Sequence, residues 1–255
     1  MVSVISSPLQ AILWDVDGTL AETERDGHRL AFNAAFGEAS IPLHWDAEEY
    51  GAWLAITGGK ERIAAALQQL RGKAPAPEEL ARLQAAKQRH YGALVEAGAL
   101  RLKPGVAALI AAANAAGLRQ ALVTTSGRSA VTALVRHCLG PLAEALELWV
   151  CGEDVERKKP DPQAYALALE RLGLGPAAAL AIEDTGHGLQ AATAAGLGCV
   201  ITLSHYGSRE AMQRYAPALA VVEGFGPGGQ VMVGPACGAA GVGLAYLQQL
   251  VAGRG

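Results

Sequence analysis

The chain has 255 residues, of which 51% are hydrophobic and only 5% aromatic. A formal net charge of −3 at pH 7 gives no general attraction to nucleic acid or to an anionic membrane. No apolar run reaches the roughly 18 residues that a membrane span needs, so we expect neither a nucleic-acid nor a membrane partner.

The ends of the chain and its cysteines bear on the compartment. The N-terminal stretch MVSVISSPLQ lacks a basic segment followed by an apolar run, so no secretory signal is predicted. The cysteines lie far apart with no C-x-x-C pair, which is typical of free thiols in a reducing compartment; they are Cys138, Cys151, Cys199 and Cys237. We expect a monomer in the cytoplasm, or in the plastid stroma if the source is a plant or an alga.

The first predicted element is a buried strand over residues 12–15 that runs into a sharp turn. Residues 22–100 differ, because helical patterns broken by Pro and Gly follow one another there without a convincing strand. The helices predicted in this region are 25–36, 46–55, 60–70 and 77–97. We call residues 22–100 the helical insertion and expect it to cover the ligand edge of the sheet as a cap.

Beyond residue 100, short apolar segments alternate with helical patterns. Strands are predicted at 119–126, 146–151, 178–184 and 199–204, and helices at 105–117, 129–139, 162–172 and 188–195. This alternation favours an α/β fold with a doubly wound parallel sheet, built from residues 1–21 and 101–255. The Gly-rich stretch 224–241 predicts a loop or loose packing.

The most informative site is the end of the first strand, where Asp15 and Asp17 are followed by Gly18 and Thr19. A carboxylate that attacks a phosphate meets a like charge, at a cost of about 4 kcal/mol at about 4 Å and an effective dielectric of about 20. Such a site needs a divalent cation, and Mg²⁺ suits an oxygen-only shell. Asp15 would be the nucleophile and Asp17 the general acid, with its backbone carbonyl on the metal and its side chain positioned by Thr19. The alternative is an ordinary surface turn.

Two further segments carry groups that bind phosphate. Hydroxyls and amides of Thr124, Thr125 and Ser126 follow a strand and can hold phosphoryl oxygens. Lys159, fixed next to Pro160, can neutralise phosphate charge. The alternatives are a turn or helix cap for the first segment and a solvated basic loop for the second.

A second pair of acids, Glu183 and Asp184, ends another buried strand. Metal ligation is one reason for such a pair, and helix capping by Asp184 is the alternative. Because ligands bind beyond the carboxyl ends of strands in doubly wound sheets, Asp15, Thr124 and Asp184 are expected at one edge.

Four motifs follow one another along the chain: DVDGT, Thr124, Lys159-Pro160 and Glu183-Asp184, with a helical insertion after the first. This ordered set resembles the haloacid-dehalogenase-like phosphotransferases. The resemblance spans roughly residues 9–220 and implies a Rossmann-like core and Mg²⁺. Asp17 argues against the dehalogenase branch, which needs no second acid to protonate an oxygen leaving group. The implied roles are metal binding by Asp15, Asp17 and Asp184 with Glu183 beside them, and phosphoryl binding by Thr124 and Lys159.

Three stretches carry a finer resemblance within that superfamily: AETERDGHRLAFNAAF, WDAEEYGAWLAITGGKERI and HCLGPLAEALELWVCGEDVERKKPDP. They are similar to the CbbY-like proteins of the Calvin cycle. These proteins remove a phosphate from xylulose-1,5-bisphosphate. Helical spacing places Glu24 and His28 on one face, and Lys60 and Arg62 could meet the second phosphate, although both pairs could be ordinary surface charges. The substrate residues that the resemblance implies are Glu24, His28, Tyr50, Gly58, Gly59, Lys60, Glu61 and Arg62, together with Thr125 and Ser126.

Rival interpretations remain. The segment 186–191 (GHGLQA) fits a dinucleotide-binding turn, but Glu183 and Asp184 would repel a pyrophosphate and no acid ends the next strand. Glu61 stands where a P-loop needs Ser or Thr. His187 departs from the Asn or small residue expected there and receives no role. A non-enzymatic regulator would have lost its nucleophile, whereas Asp15 is present.

The sequence therefore predicts a Mg²⁺-dependent phosphatase acting on a sugar bisphosphate through an aspartyl-phosphate. Xylulose-1,5-bisphosphate is the favoured substrate. A sugar-phosphate mutase of the β-phosphoglucomutase type, and a phosphatase of another small ester such as phosphoglycolate, remain alternatives.

Overall fold

The computed structural model describes residues 9–253. Residues 1–8, which begin the predicted core segment 1–21 and carry most of the stretch used to judge a secretory signal, lie outside the described residues. Residues 254–255, which end the predicted segment 101–255, do so as well. Within 9–253 no helix has both the length and the apolar character that a membrane span requires.

The described part of the chain forms one seven-stranded sheet in the order β3-β2-β1-β4-β5-β6-β7. All neighbouring pairs are parallel except β6 and β7. Trp14 is in register with Leu122 on one side and with Ile182 on the other, so the carboxyl ends of β1, β2 and β4 lie side by side. The strands β1 to β7 are Ala11–Trp14, Arg119–Val123, Leu148–Val150, Ala179–Glu183, Gly198–Thr202, Ala220–Glu223 and Gln230–Val233.

Helices cover both faces of this sheet, because alternate side chains of each buried strand point to opposite sides. Ile12 and Trp14 face a cluster that includes α5, α6 and α9, whereas Ala11 and Leu13 face one that includes α7 and α8. The predicted α/β class with a doubly wound, mostly parallel sheet is confirmed. Helices α1 to α9 are Arg29–Glu38, Ala47–Trp53, Gly59–Arg71, Pro77–Glu96, Val106–Ala115, Arg128–Leu139, Gln163–Leu172, Gly186–Ala194 and Leu244–Ala252.

The helical insertion contains α1 to α4, preceded by one π-helical turn, Glu24–His28. Most of its aromatic side chains form a cluster separate from the two that flank the sheet, and this cluster includes Phe32, Phe36 and Trp45. Asp46 and Glu49 form a capping box that starts α2, and Pro77 occupies the first turn of α4. The role of this segment as a separate cap domain stays a prediction.

The C-terminal region differs most from expectation. The loop predicted over 224–241 is wrong at β7, a four-residue strand that pairs antiparallel with β6, and neither β6 nor α9 was predicted. In β7 Gln230, Met232 and Val233 are all exposed, so no apolar alternation announces the strand. Its pairing with β6, across the Gly-rich segment 224–229, decides the conformation instead.

Candidate active site

The turn after β1 is shaped by glycine. Gly18 has a φ of +85°, a conformation that side chains rarely adopt, and a Cβ there would lie 2.0 Å from Asp184 Oδ2. The amide of Asp15 donates to the carbonyl of Ile182 at 2.9 Å, which carries the β1–β4 pairing one residue past the strand. The turn therefore brings Asp15 against the second pair of acids.

Three carboxylates meet at this edge. Oxygens of Asp15, Glu183 and Asp184 lie within 4.8 Å of one another, and all three residues are buried. Burial first and the charge of Glu183 second raise the pKa of Asp15 to about 7. Burial, with the charges of Asp15 and Glu183, also raises the pKa of Asp184 well above its usual value. Among the described residues Asp15 Oδ2 has no hydrogen-bond partner, so this donor set fits a hard divalent cation such as Mg²⁺.

The helix-cap and surface-turn alternatives fail for these acids. Thr185, not Asp184, is the N-cap of α8, since its hydroxyl accepts from the amide of Gly188 at 3.1 Å. Asp15 is only 7% exposed, which excludes an ordinary surface turn.

Lys159 lies at the centre of the site rather than in a solvated loop. Its ammonium donates to Asp15 Oδ1 at 2.8 Å, to Glu183 Oε1 at 2.5 Å and to the carbonyl of Val123 at 2.7 Å. Burial alone would lower the pKa of Lys159, but Asp15 and Glu183 raise it above its usual range. Glu183 Oε1 also accepts from the hydroxyl of Tyr165 at 2.5 Å, so Glu183 anchors Lys159, while its predicted place in the metal shell stays a prediction.

Asp17 has a different environment, because donors surround its carboxylate. Oδ1 contacts the Thr23 hydroxyl at 2.5 Å and His28 Nε2 at 2.9 Å, and Oδ2 accepts from the Ser126 hydroxyl at 2.5 Å. Burial would raise the pKa of Asp17, but the charge and hydrogen bond of His28 and the two hydroxyls lower it below its usual range. Thr19 does not position Asp17 as expected, since Thr23 does so from the first turn of the helical insertion.

The remaining predicted phosphate-binding residues follow β2. Thr124 is buried, and its hydroxyl accepts from the amide of Ser126 at 3.1 Å. Thr125 lines the cavity described below. Ser126 is directed at Asp17 rather than free for substrate.

Sequence reasoning missed Lys87, which lies on α4 and is 4% exposed. Its ammonium is 2.9 Å from His28 Nδ1 and lies over the rings of Phe32 and Tyr91, at 4.8 and 5.4 Å from their centroids. Burial lowers the pKa of Lys87 to about 8. A signal existed, because Lys87 is four residues from both Leu83 and Tyr91 and so shares the apolar face of α4.

The helical insertion contributes a second charged network. The Tyr50 hydroxyl donates to Glu24 Oε2 at 2.5 Å and accepts from the Arg62 guanidinium at 2.5 Å. Arg62 is 5% exposed and also donates to the carbonyls of Trp53 and Ile56. Tyr50 is completely buried, so it holds Glu24 and Arg62 in place instead of lining the cavity.

Lys60 does not lie beside Arg62 at the cavity, contrary to the sequence prediction. It is exposed and does not line the cavity, because residues two apart on a helix do not face the same side. Glu61 is exposed as well and pairs with Lys158 at 2.5 Å, across the boundary between helical insertion and sheet. Gly58 and Gly59 begin α3, with Gly58 at a φ of +99°.

One cavity of about 670 Å³, its open mouth included, is lined by residues of both the sheet edge and the helical insertion. Asp15, Asp17 and Lys159 line it from the sheet edge, and Glu24 and Arg62 from the helical insertion. A smaller space shares Glu24, Arg62 and Thr125 with this cavity and is also lined by His28, Lys87 and Ser126. The lining residues that had no predicted role include Glu22, His187 and Tyr206.

Comparison with known proteins gives a consistent picture. Residues 9–196 match the model of the haloacid dehalogenase-like hydrolases. The chain is 45% identical to the protein CbbY of Cereibacter sphaeroides over 203 residues, covering 79% of this chain and 87% of that protein. It is 30% identical to a phosphoglycolate phosphatase of Salmonella choleraesuis, covering 82% and 87% respectively. A crystal structure of a CbbY mutant from Rhodobacter sphaeroides in complex with xylulose-(1,5)bisphosphate superposes with a TM-score of 0.77 at 42% identity, covering 85% of this chain and 94% of that one.

Proposed function

Because the chain belongs to the haloacid dehalogenase-like hydrolase family and is a phosphatase of that family, we propose that it hydrolyses a sugar bisphosphate in a Mg²⁺-dependent reaction. Xylulose-1,5-bisphosphate is the favoured substrate, supported by the bound sugar in the structure of the CbbY relative. The proposal depends most on one observation: a single cavity is lined both by Lys159 with three acids of the sheet edge and by the buried cation Arg62 of the helical insertion.

That arrangement matches a ligand with a phosphate at each end. The transferred phosphate would lie between Lys159 and Asp15, and the retained phosphate would meet Arg62, whose planar guanidinium suits phosphate oxygens. Glu24 would accept from sugar hydroxyls, because Tyr50 and Arg62 fix one of its oxygens at the cavity wall.

The hydrogen bonds of Asp15 support the proposal that its carboxylate is the nucleophile. Lys159 holds Oδ1, while Oδ2 is buried without a partner among the described residues and is the oxygen available to attack phosphorus. Attack forms a bond from an Asp15 oxygen to phosphorus, which makes an acyl phosphate, and breaks the bond from phosphorus to the sugar oxygen, which takes a proton from Asp17. Water then attacks the aspartyl-phosphate and gives a proton back to Asp17, releasing phosphate.

A Mg²⁺ ion bound by Asp15, Asp184 and the backbone carbonyl of Asp17 would supply Lewis-acid neutralisation of the phosphate charge. Thr124 would position the transferring group, and Glu183 keeps Lys159 oriented through their 2.5 Å contact.

The contacts of Asp17 suit the second step directly. Its pKa lies below the usual range, so the carboxylate is ionised and ready to accept a proton from water. For the first step Asp17 must carry a proton, which the negative charge of an incoming phosphate favours by raising the pKa of a neighbouring carboxylate. His28, which contacts Asp17, and Lys87, which contacts His28, would then influence whether Asp17 is protonated or ionised.

A phosphate-release panel tests the proposal. Purified protein with Mg²⁺ is offered xylulose-1,5-bisphosphate, sugar monophosphates, phosphoglycolate and β-glucose 1-phosphate, with Asp15→Asn as the inactive control. We expect kcat/KM to be highest for the bisphosphate by at least about tenfold, the value of one charge-assisted contact. A preference for phosphoglycolate would replace the substrate with that of the Salmonella relative. Conversion of β-glucose 1-phosphate to the 6-phosphate without phosphate release would show a mutase.

A further inference from the structure

One side chain from the sheet portion enters the helical insertion. Tyr206, in the loop after β5, packs against the aromatic cluster of the insertion, and among the described residues it is the member of that cluster from outside 22–100. It also lines the candidate active-site cavity. Tyr206 therefore contacts both the ligand space and the body of the insertion.

The contacts of Tyr206 converge on α2. Its hydroxyl donates to the carbonyl of Ala47, in the first turn of α2, at 2.9 Å. Its ring lies 6.1 Å from the ring of Tyr50, at an interplanar angle of 59°. Gly51 fits against the same ring, because a Cβ there would approach the Tyr206 ring to 3.1 Å. Since Tyr50 holds Glu24 and Arg62, the ring of Tyr206 supports the whole network.

The loop that carries Tyr206 is fixed on the other side to Asp184. The hydroxyl of Tyr215 donates to the carbonyl of Gly207 at 2.8 Å and to that of Asp184 at 3.1 Å. A Cβ at Gly207 would lie 2.3 Å from the Asp184 carbonyl oxygen, so loop and acid are in close contact. Ser204 closes the loop, since its hydroxyl accepts from the amide of Gly207 at 2.9 Å.

We propose that Tyr206 is a positioning residue that sets the distance between the sugar-binding network of the helical insertion and the acids at the sheet edge. This inference rests on the proposed sugar bisphosphate activity. The loop that carries Tyr206 contacts Asp184 on one side and α2 on the other, so the position of α2 relative to Asp184 depends on Tyr206. Binding of substrates that extend from Asp15 to Arg62 therefore depends on Tyr206. A small ester that needs only the acids and Lys159 does not.

Steady-state kinetics of Tyr206→Phe and Tyr206→Ala on two substrates test this. For xylulose-1,5-bisphosphate we expect KM to rise about fivefold in Tyr206→Phe, the size of one neutral hydrogen bond, and at least about tenfold in Tyr206→Ala. For p-nitrophenyl phosphate, kcat/KM should change by less than about twofold in both variants. The matched control is Tyr246→Phe, which removes a similar hydroxyl-to-carbonyl bond, to Pro235, away from the cavity.

Hydrogen exchange gives a readout that is independent of the substrate. In Tyr206→Ala the amides of α2 should exchange faster, while those of α4 stay as in the wild type. If the wild type lacks activity on the bisphosphate, the proposed function falls and this exchange result still tests the position of α2. Equal losses on both substrates, or unchanged α2 exchange, would overturn the inference.

Should Tyr206→Ala fail to fold, a change on the opposite surface supplies the test. Gly51→Ala places a methyl group 3.1 Å from the Tyr206 ring, whereas Gly92→Ala adds one in α4 with nothing within 4 Å. We expect a raised bisphosphate KM in the first variant and wild-type KM in the second. Equal KM values in the two variants would contradict the positioning role.

Discussion

Single residues two positions apart in α3 have opposite environments, which makes them a matched pair. Arg62 is buried in the cavity wall, whereas Lys60 is exposed outside it. Arg62→Lys keeps the charge but loses the planar fork, so we expect kcat/KM for the bisphosphate to fall by about tenfold or more while a monophosphate is hardly affected.

Lys60→Ala is the control for that variant, with an expected change of less than about twofold on either substrate, as for most surface substitutions. Both variants are assayed by phosphate release. A larger loss from Lys60→Ala than from Arg62→Lys would show that the sequence-based role for Lys60 was right and that α3 turns when substrate binds.

The acid cluster predicts how stability depends on pH and Mg²⁺. Without metal, burial and Glu183 raise the pKa of Asp15 to about 7 from an ordinary value of 3.8. Between these two pKa values the folded state binds more protons than the unfolded state. The stabilisation of the folded state that results is complete below the lower value and is lost as the pH rises to about 7. Mg²⁺ binds the ionised form, so the rise in Tm that Mg²⁺ produces should be larger at pH 8 than at pH 5.

Calorimetry with and without Mg²⁺ measures this directly. Asp184→Asn should stabilise the metal-free protein at pH 8, because it removes a buried like charge, and should abolish most of the Mg²⁺ shift. Glu38→Gln, an exposed carboxylate on the helical insertion, serves as the control and should leave the shift intact. A Mg²⁺ shift of equal size at both pH values would show that the cluster does not bind the ion.

At this scale the sequence predicts residues whose position follows from strand ends. Asp15, Thr124 and Asp184 could be placed together because parallel strands end at one edge. Thr23 and Tyr206 could not, since their contacts arise only when the helical insertion packs on the sheet. Lys87 could not either, since its contact with His28 arises only when α4 packs against the start of the insertion. The periodicity of α4 identifies Lys87 as an apolar-face residue, but nothing in it names His28 as the partner.

The two ends of α5 show how the C-terminal segment packs on the rest of the chain. Gly105 and Gly117 bracket α5, with φ of +80° and +74°. A Cβ at Gly105 would lie 2.3 Å from the Phe225 carbonyl oxygen, whereas Gly117 has open space around it. The loop after β6 therefore packs directly on the start of α5.

These two glycines make a second matched comparison. Gly117→Ala should cost about 1–2 kcal/mol of unfolding free energy, the penalty of a left-handed conformation. Gly105→Ala should cost about 1–3 kcal/mol more, because backbone must move to make room. Urea denaturation measures both, and equal losses would show that the segment around Phe225 is not packed as described.

The elements also mark where sequence reasoning ends. Apolar runs predict the buried strands. Pro at a first turn and Gly at a last turn predict where helices begin and end. The exposed edge strand β7 does not, because its pairing with β6 and not its own pattern determines it.

For the molecule as a whole, the proposal assigns the chemistry to the sheet edge and the recognition of the substrate to the helical insertion. Asp15 and Asp184 follow the ends of β1 and β4, Lys159 comes from the loop between β3 and α7, and Arg62 and Glu24 come from the insertion, and all five line the cavity. This division explains why the sequence motifs identify the reaction class more firmly than the sugar. Motif residues follow the ends of strands or lie next to them, whereas the network around Glu24 depends on how the helices of the insertion pack on one another.

The central claim is that Asp15 carries the phosphoryl group during turnover. Wild type and Asp15→Asn are mixed with xylulose-1,5-bisphosphate and Mg²⁺, quenched in acid within the first turnovers, and analysed by peptide mass spectrometry. We predict one phosphoryl group on the peptide that contains Asp15 in the wild type, and none in Asp15→Asn or after chelation of Mg²⁺. Phosphate release with no modified peptide, a label on another residue, or near-normal turnover by Asp15→Asn would contradict the mechanism.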